Sequence, residues 1–239
     1  MNDREILIKQ NIEHIYQTIE KVCKDIHRDP ASVRIMAVSK TMPVEDIVTA
    51  IECGISIIGE NMVQEAQNKY VLLKDVLKQK DISFHFIGHL QSNKIKLANE
   101  IFDSIDSIDR LKIAEKLSSC AAQNAKKIRC LIQANAAKED TKFGAYEEEI
   151  KDLVYAVSTM ENLELLGFFA IPPYFADPEQ SRIYFKSLRL LRDMMKKEFP
   201  DRNLSELSMG MSHDYHVAIE EGATIIRIGQ SIFGERVKH

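Results

Sequence analysis

Two hydrophobic patterns alternate along the chain. Short runs of β-branched and other apolar residues, typical of buried strands, are separated by longer stretches in which apolar residues recur every three or four positions, as on one face of a helix. The first long stretch predicts an opening helix with one continuous apolar face. That face carries Ile8, Ile12, Ile15, Ile19, Val22 and Ile26.

Eight short apolar runs are candidate strands. They cover residues 33–38, 56–58, 84–87, 104–108, 128–134, 164–170, 204–208 and 224–228. Strict alternation of strands with helices requires parallel strands joined by helical crossovers. With eight strands, the pattern predicts the α/β class and a single closed (β/α)8 barrel, or TIM barrel, in preference to an open doubly wound sheet.

The opening helix has no strand before it, and a short segment follows the eighth predicted strand. In a (β/α)8 barrel each strand is followed by a helix of the outer ring, so the last strand lacks its helix. We therefore expect the N-terminal helix to complete the outer helical ring. The length of 239 residues suits one such domain spanning residues 1–239.

Composition and charge narrow the partners. The chain has 36 acidic and 32 basic residues, a net charge of −4, which gives no general attraction to nucleic acid or anionic lipid. The N-terminus is charged, and the apolar runs are too short for a membrane span or a signal peptide. Cys23, Cys53, Cys120 and Cys130 are scattered without metal-ligand spacing. This indicates buried thiols in a reducing, cytoplasmic location and no metal site.

The candidate chemistry begins with Lys40, which follows the first predicted strand and Ser39. In a barrel of this kind the site lies at the carboxyl ends of the strands. From position alone, Lys40 is either a solvated flanking charge or an amine facing the barrel mouth, where partial burial leaves a neutral nucleophile. Such an amine condenses with an aldehyde, so the second interpretation predicts a Schiff base with a cofactor or a carbonyl substrate.

Two loops that contain glycine and serine indicate a phosphate site. Gly210 and Ser212 follow the seventh predicted strand, and Gly229 and Ser231 follow the eighth. Barrels that bind phosphate frequently use these two loops with a short extra helix, and residues 230–233 suffice for one helical turn. The alternative is ordinary turn chemistry, in which glycine and serine are also common.

Two further polar residues follow the second and third predicted strands. Asn61 either lines the mouth or caps the helix that begins beside it. His89 contacts a bound cofactor, acts as a base, or is an ordinary surface histidine. The sequence position leaves these interpretations open.

Five segments, taken in order, resemble one known family. They are Ala-Val-Ser-Lys-Thr (37–41), Gly-Glu-Asn (59–61) with Val63-Gln64-Glu65, Phe-Ile-Gly-His-Leu-Gln-Ser-Asn-Lys (86–94), Leu-Ser-Met-Gly-Met-Ser (207–212) and Ile-Arg-Ile-Gly-Gln-Ser-Ile-Phe-Gly (226–234). Together they resemble the pyridoxal phosphate homeostasis proteins, which are relatives of the N-terminal barrel of alanine racemase. Two departures are Met62, where a tyrosine or arginine is usual, and Phe168-Phe169, where Leu-Met is usual.

The resemblance implies a (β/α)8 barrel that binds pyridoxal 5′-phosphate (PLP), with Lys40 as the Schiff-base lysine and the phosphate held by the segments around 208–212 and 227–229. The residues predicted to bind the cofactor are Lys40, Asn61, His89, Ser208, Met209, Gly210, Ser212, Arg227 and Gly229. Arg227 bonds the phosphate, faces the pyridine nitrogen, or is a structural ion-pair partner.

The resemblance further implies a binding and carrier role in vitamin B6 and amino-acid homeostasis without established catalytic turnover, so no catalytic residue is predicted. PLP-dependent apoenzymes are candidate partners, and we expect a monomer. The alternatives are a PLP-dependent racemase-like enzyme and a Schiff-base aldolase. A racemase needs a base on each face of the cofactor, and none of the seven tyrosines is expected at the catalytic end of a strand.

Overall fold

Eight parallel strands close into a barrel in the computed structural model, which describes residues 2–135 and 143–234. Each strand pairs with the next along the chain, and the last pairs with the first. The (β/α)8 barrel predicted from the alternating pattern is confirmed. The strands are β1 (Arg34–Val38), β2 (Ile57–Glu60), β3 (Ser83–Phe86), β4 (Ser104–Ile108), β5 (Ile128–Gln133), β6 (Leu163–Phe169), β7 (Glu206–Met211) and β8 (Ile225–Ile228).

Helices cover the outside of the barrel. In the described residues they are α1 (Asp3–Asp25), α2 (Val44–Glu52), α3 (Val63–Gln79), α4 (Ile95–Ile101), α5 (Leu111–Gln123), α6 (Glu147–Ser158), α7 (Arg182–Glu198), α8 (Tyr215–Glu220) and α9 (Gln230–Phe233). Helix α1 packs against α2, α8 and α9. It therefore completes the outer ring as predicted, while the single-domain boundary of 1–239 stays a prediction.

Helix α1 lies on the barrel through its predicted apolar face. A capping box begins the helix: the Asn2 side chain accepts a hydrogen bond from the Glu5 N–H, and the Glu5 carboxylate accepts one from the Asn2 N–H. Successive turns then bury one isoleucine each against the barrel. These are Ile8, Ile12, Ile15 and Ile19.

The buried face of α1 stops before Ile26, whose residue is 36% exposed. The helix ends at Asp25, and the chain turns at His27, which has a left-handed φ of 55°. The N–H of Arg28 then bonds the carbonyl of Cys23, the arrangement of a Schellman helix end. The expectation that Ile26 continues the buried face is therefore wrong.

Strand side chains alternate between the surrounding helices and the barrel interior. The outward side chains join the helices in one large apolar core. Inside the barrel, Met36, Ile57 and Ile225 form a separate apolar cluster between β1, β2 and β8. This half of the interior is closed by hydrophobic packing.

The other half of the interior, near the amino ends of β3, β4 and β5, is polar. His85 bonds Asp106 through Nδ1 at 2.9 Å and Ser83 through Nε2 at 2.7 Å. Ser104 donates to the second oxygen of Asp106, and Arg129 donates to Ser83 Oγ at 2.8 Å. Both ring nitrogens and both carboxylate oxygens thus have protein partners, so this network is a satisfied part of the core.

Strand β7 differs from its prediction at both ends. It runs from Glu206 to Met211, where the apolar run predicts 204–208. Met209 and Gly210 are therefore strand residues, and their assignment to a loop is wrong. The sequence predicts Gly210 to be a turn residue. In the structure its φ of 89° occurs where the pairing of β7 with β8 shifts register, as in a β-bulge.

The helices of the described ranges 2–135 and 143–234 are all too short or too polar to span a membrane. Within the same ranges, no group of three or more His, Cys, Asp or Glu residues is arranged to hold a metal ion. The four cysteines are free thiols.

Candidate functional site

A cavity of about 470 Å³ opens at the carboxyl ends of the strands. Its volume is that of a small-molecule site. The predicted residues that line it are Lys40, Asn61, His89, Ser212, Arg227 and Gly229. A wider groove of about 950 Å³ lies outside the barrel between α1 and α2, away from all of these residues. The candidate chemistry is therefore concentrated at the barrel mouth.

Lys40 is partly buried and lines the cavity, so it is not a fully solvated flanking charge. It follows Ser39, whose N–H continues the ladder between β1 and β2 by bonding the Gly59 carbonyl at 3.0 Å. The next residue, Thr41, has a left-handed φ of 65°, which is unusual for a β-branched residue. The main chain thus turns sharply where the lysine enters the cavity.

A buried ionic cluster lies behind Lys40, and the sequence reasoning missed it. Lys69 on α3 is ion-paired with Glu60 and Glu65, each at 2.7 Å. Burial raises the pKa of Glu60, while the charge and hydrogen bond of Lys69 and the hydrogen bond of Ser39 act against that rise. The available signal was the spacing of Glu65 and Lys69, four apart on a helix, which is also the spacing of an exposed surface pair.

Arg227 enters the cavity from β8 and is 3% exposed. Its guanidinium donates to Ser208 Oγ at 3.1 Å and to the Ala170 carbonyl at 2.7 Å, and lies 4.3 Å from the centre of the Phe169 ring. No carboxylate of the described residues is ion-paired with it, so the structural ion-pair interpretation is wrong. Burial lowers the pKa of Arg227 to about 10, although the more distant charges of Asp214 and Asp106 oppose that change. A buried cation in this condition favours an electron-rich ligand.

The loops after β7 and β8 meet at one side of the cavity. The Ser231 N–H donates to Ser212 Oγ at 3.2 Å, and the Ser231 hydroxyl donates to the Ser212 carbonyl at 3.4 Å. A Cβ on Gly229 would lie 3.3 Å from the Val38 carbonyl oxygen, which is tighter than ordinary contact. Helix α9 starts directly after this glycine, where the sequence predicts an extra helical turn.

Three of the predicted residues lie away from the cavity. Ser208 contacts Arg227. Met209 is buried in the apolar layer between the barrel and the helices, and a Cβ on Gly210 would come within 2.5 Å of Ala218. Because the side chain of Met209 faces the surrounding helices, we do not expect it to touch a ligand. We expect Ser208 to affect a ligand only through its hydrogen bond with Arg227.

Asn61 and His89 face the cavity from neighbouring loops. Met62, and not Asn61, occupies the N-cap of α3, so the capping interpretation of Asn61 is wrong. The His89 ring stacks on Phe143 with centroids 3.8 Å apart, and its Nδ1 lies 3.4 Å from Asp109. Burial raises the pKa of Asp109, although the charges of Arg110 and His89 oppose that change. Phe143 and Asp109 therefore fix the His89 ring at the edge of the cavity.

Further cavity residues were missed by the sequence reasoning. Phe169 comes from the end of β6, and Tyr174 and His213 come from the loops after β6 and β7. The rings of Tyr174 and His213 lie 5.3 Å apart. The expectation that no tyrosine lies at the catalytic end of a strand is wrong for Tyr174. Its position in a loop without periodicity gave no signal beyond its place after the sixth strand.

Comparison with known proteins assigns the family. The family model for "Alanine racemase, N-terminal domain" matches residues 9–237. The pyridoxal phosphate homeostasis protein of Aquifex aeolicus (strain VF5) is 41% identical over 227 residues, covering 95% of this chain and 97% of that protein. The chain belongs to the pyridoxal phosphate homeostasis protein family. The resemblance found in the five sequence segments is confirmed.

Solved structures agree with this family. PipY of Synechococcus elongatus PCC7942, solved with PLP bound, is 32% identical with a TM-score of 0.79, covering 91% of this chain and 100% of that one. An unknown protein from Bifidobacterium adolescentis is 31% identical with a TM-score of 0.91, covering 98% of this chain and 97% of that one. Both solved structures therefore share the fold of this chain over more than nine-tenths of its length.

Proposed function

We propose that this chain binds PLP in the cavity at the barrel mouth, with Lys40 holding it as a Schiff base. The observation that carries the proposal is that a partly buried lysine and a buried arginine line one cavity. The described residues give that arginine no carboxylate partner, which leaves room for a ligand with anionic and electron-rich groups. The PLP-bound structure of PipY supports the same ligand class.

The residues of the cavity fit each part of PLP. Ser212 and Gly229 belong to the two loops that suit its phosphate, and Phe169 with Arg227 forms a wall for its ring. PLP supplies an aldehyde when it is bound. Lys40 would hold this aldehyde covalently as a Schiff base, with its oxygen released as water. The remaining cavity residues bind and orient the ligand.

We place Arg227 toward the pyridine nitrogen, and not toward the phosphate. It lies on β8 itself, below the level of Gly229, and its hydrogen bonds run to Ser208 and Ala170. A guanidinium in that position disfavours protonation of the pyridine nitrogen, which weakens PLP as an electron sink. Such a site suits binding better than turnover.

We infer a binding and carrier role in vitamin B6 and amino-acid homeostasis, without catalytic turnover. The names of the relatives support the homeostasis role. One observation favours the racemase-like alternative: Tyr174 and His213 line the same cavity as Lys40, and both side chains exchange protons. Alanine racemisation by the PLP-loaded protein tests this point. Turnover that Tyr174→Phe abolishes would support the enzyme, and turnover no greater than that of Lys40→Ala would support the carrier.

We further propose that PLP passes to PLP-dependent apoenzymes and that the protein is a cytoplasmic monomer. The exposed ring of Tyr174 at the mouth supports exchange with a partner. The four free thiols support a reducing location. Transfer of PLP to an apoenzyme, timed against an equal amount of free PLP, tests delivery, and sedimentation tests the oligomeric state.

The assignment of Lys40 is tested by trapping the Schiff base. Borohydride reduction of the PLP-loaded protein should leave a phosphopyridoxyl group on Lys40, identified by peptide mass spectrometry. Lys40→Ala should lose both this adduct and the visible absorption band. Lys94→Ala, which changes a lysine of the loop after β3, should keep them. Equal adduct formation in Lys40→Ala would overturn the proposal.

A further inference from the structure

Lys69 makes three hydrogen bonds with its ammonium group, one for each N–H. It donates to the Ser39 carbonyl at 2.6 Å, to Glu60 Oε1 at 2.7 Å and to Glu65 Oε1 at 2.7 Å. The side chain of Lys69 is 10% exposed and that of Glu60 is fully buried. An ammonium group has three donors and no acceptor, so these three acceptors fix its position completely.

Lys69 holds the main chain on both sides of Lys40, directly on one side and through Glu65 on the other. The Ser39 carbonyl belongs to the peptide unit before Lys40. The N–H of the unit after it, from Thr41, donates to the same Glu65 oxygen that Lys69 binds. Thr41 is held at its left-handed φ of 65°, a conformation that persists where surrounding contacts over-determine it. Lys69 therefore fixes the direction in which Lys40 leaves the backbone.

The charges of the cluster also act on Lys40. Burial alone would raise the pKa of Glu65, but hydrogen bonds from Lys69 and Thr41, with the charges of Lys69 and Lys40, hold it below its ordinary value. By reciprocity, the Glu65 carboxylate favours the protonated form of Lys40. The Lys69 ammonium has the opposite effect, because two cations that share a site disfavour each other.

One oxygen of the cluster has no protein partner. Glu60 Oε2 is buried and has no hydrogen-bond partner among the described residues, which is unfavourable for a carboxylate. A buried ion pair is also weak evidence for stability, since apolar side chains often replace one without loss. The position of the cluster behind Lys40 is therefore the feature that needs an explanation.

We propose that Lys69 is a positioning residue for Lys40: it fixes the two peptide units that flank the lysine, and its charge offsets that of Glu65 so that the Lys40 amine is reactive toward an aldehyde. The inference rests on the proposed function, because it concerns how Lys40 forms its bond to PLP. Lys69 and Glu65 hold the main chain beside Lys40 and act on its charge, and they do not bind the ligand themselves.

The test is the rate at which the PLP-free protein forms its Schiff base after mixing with PLP, followed by absorbance across a range of pH. The rate depends on the neutral fraction of Lys40, so its pH midpoint reports the charge environment of that amine. Lys69→Met removes a positive charge and should move the midpoint up by about one pH unit. Glu65→Gln removes a negative charge with little change in shape and should move the midpoint down.

Opposite shifts in these two variants are a signature that loss of structure does not produce. Lys69→Met leaves two carboxylates without their cation, so Glu60→Gln/Lys69→Met provides a second form with less uncompensated charge. Lys69→Arg keeps the positive charge but not the compact geometry, and it should restore the midpoint while the maximal rate stays low. The other titratable side chains that line the cavity within residues 2–135 and 143–234 are unchanged in all variants: His89, Tyr174, His213 and Arg227.

Unchanged midpoints in Lys69→Met and Glu65→Gln, or shifts in the same direction, would overturn the inference. A wild-type protein that formed no Schiff base at Lys40 would instead overturn the proposed function. The pH midpoints can be compared only if the wild-type protein forms the Schiff base. Failure of the inference is therefore distinguishable from failure of the proposed function.

Discussion

The barrel interior contains two polar regions that treat their buried groups differently. Near the amino ends of the strands, His85 and Asp106 bond each other and their serine neighbours, so their polar atoms are satisfied within the protein. At the mouth, Arg227 is as deeply buried but has no carboxylate partner among the described residues, and Glu60 Oε2 has no hydrogen-bond partner there. The buried groups of the two regions are therefore similarly shielded from solvent but differ in how fully protein groups pair with them.

This difference separates a structural network from a ligand site. A satisfied network contributes to folding and offers a ligand nothing that the protein has not already bonded. A buried cation beside a cavity remains available to a ligand, because hydrogen bonds to neutral groups compensate its charge less than an ion-paired carboxylate would. The two regions should therefore respond to mutation in opposite ways: the lower one in stability, the mouth in ligand affinity.

The largest expected effect is on stability, in the lower region. Asp106→Ala removes the acceptor of His85 and of Ser104, leaving two buried donors unpaired. At about 1–3 kcal/mol for each unsatisfied group, the free energy of unfolding should fall by about 2–6 kcal/mol. Urea denaturation of the PLP-free protein measures this loss.

Asp106→Asn is the matched control for that prediction, because its amide oxygen still accepts one of the two hydrogen bonds. It should lose less stability than Asp106→Ala. The PLP affinity of either folded variant should change by less than that of Arg227→Met, because Asp106 contacts no part of the cavity and acts on it only through its charge on Arg227. A large loss of affinity with little loss of stability would show that the two regions are not separate in the way described.

The next largest effect is on affinity, at the mouth. Arg227→Met removes the buried cation but keeps an apolar side chain of similar length. Because the Ala170 carbonyl loses its hydrogen bond, we expect a loss of stability of about 1–3 kcal/mol. We also expect a loss of PLP affinity of about tenfold or more, from one charged hydrogen bond of about 1.5–3 kcal/mol. Equilibrium titration with PLP measures it. Phe169→Leu, which removes the ring under the guanidinium and keeps the charge, should lose less.

Much of the fold and part of the site followed from the sequence, because both depend on local patterns. Alternating strands and helices define the barrel, and active sites lie at the carboxyl ends of its strands. This rule makes Lys40 a candidate, and only the family resemblance gives it the role of the Schiff-base lysine. Gly229 and Ser212 followed from the same rule. The error at Met209 and Gly210 arose because a glycine at a bulge has the same sequence signal as a glycine in a turn.

The contacts that complete the site depend on closure of the barrel, and no local pattern contains them. Glu65 and Lys69 have the spacing of an exposed helix pair, and only their packing against Ser39 and Glu60 makes the pair buried. Tyr174 lies in a long loop whose path is set by what it packs on. The sequence identifies Arg227, but only the three-dimensional arrangement shows that no carboxylate of the described residues is ion-paired with it.

The smallest expected effect is a difference in the pH dependence of stability between two carboxylates of the cluster behind Lys40. Burial raises the pKa of Glu60 above its ordinary value of 4.5, so the folded state favours its protonated form. The stability that Glu60 contributes is therefore present below that ordinary value and is lost as the pH rises through the raised pKa. The stability of the wild type relative to Glu60→Gln should decline as the pH increases above about 4.5, measured by denaturation at several pH values.

Glu65→Gln is the matched control, and its slope should have the opposite sign. The pKa of Glu65 is held below its ordinary value of 4.5, so its contribution is present above that value and is lost as the pH falls through the lowered pKa. Both carboxylates bind the same ammonium of Lys69, so contact with that cation cannot explain a difference between them. Opposite pH slopes of stability would assign the difference between the two carboxylates to burial. Equal slopes would mean that Lys69 determines the pKa of both, and that Glu60 is as fully compensated as the polar groups near the amino ends of the strands.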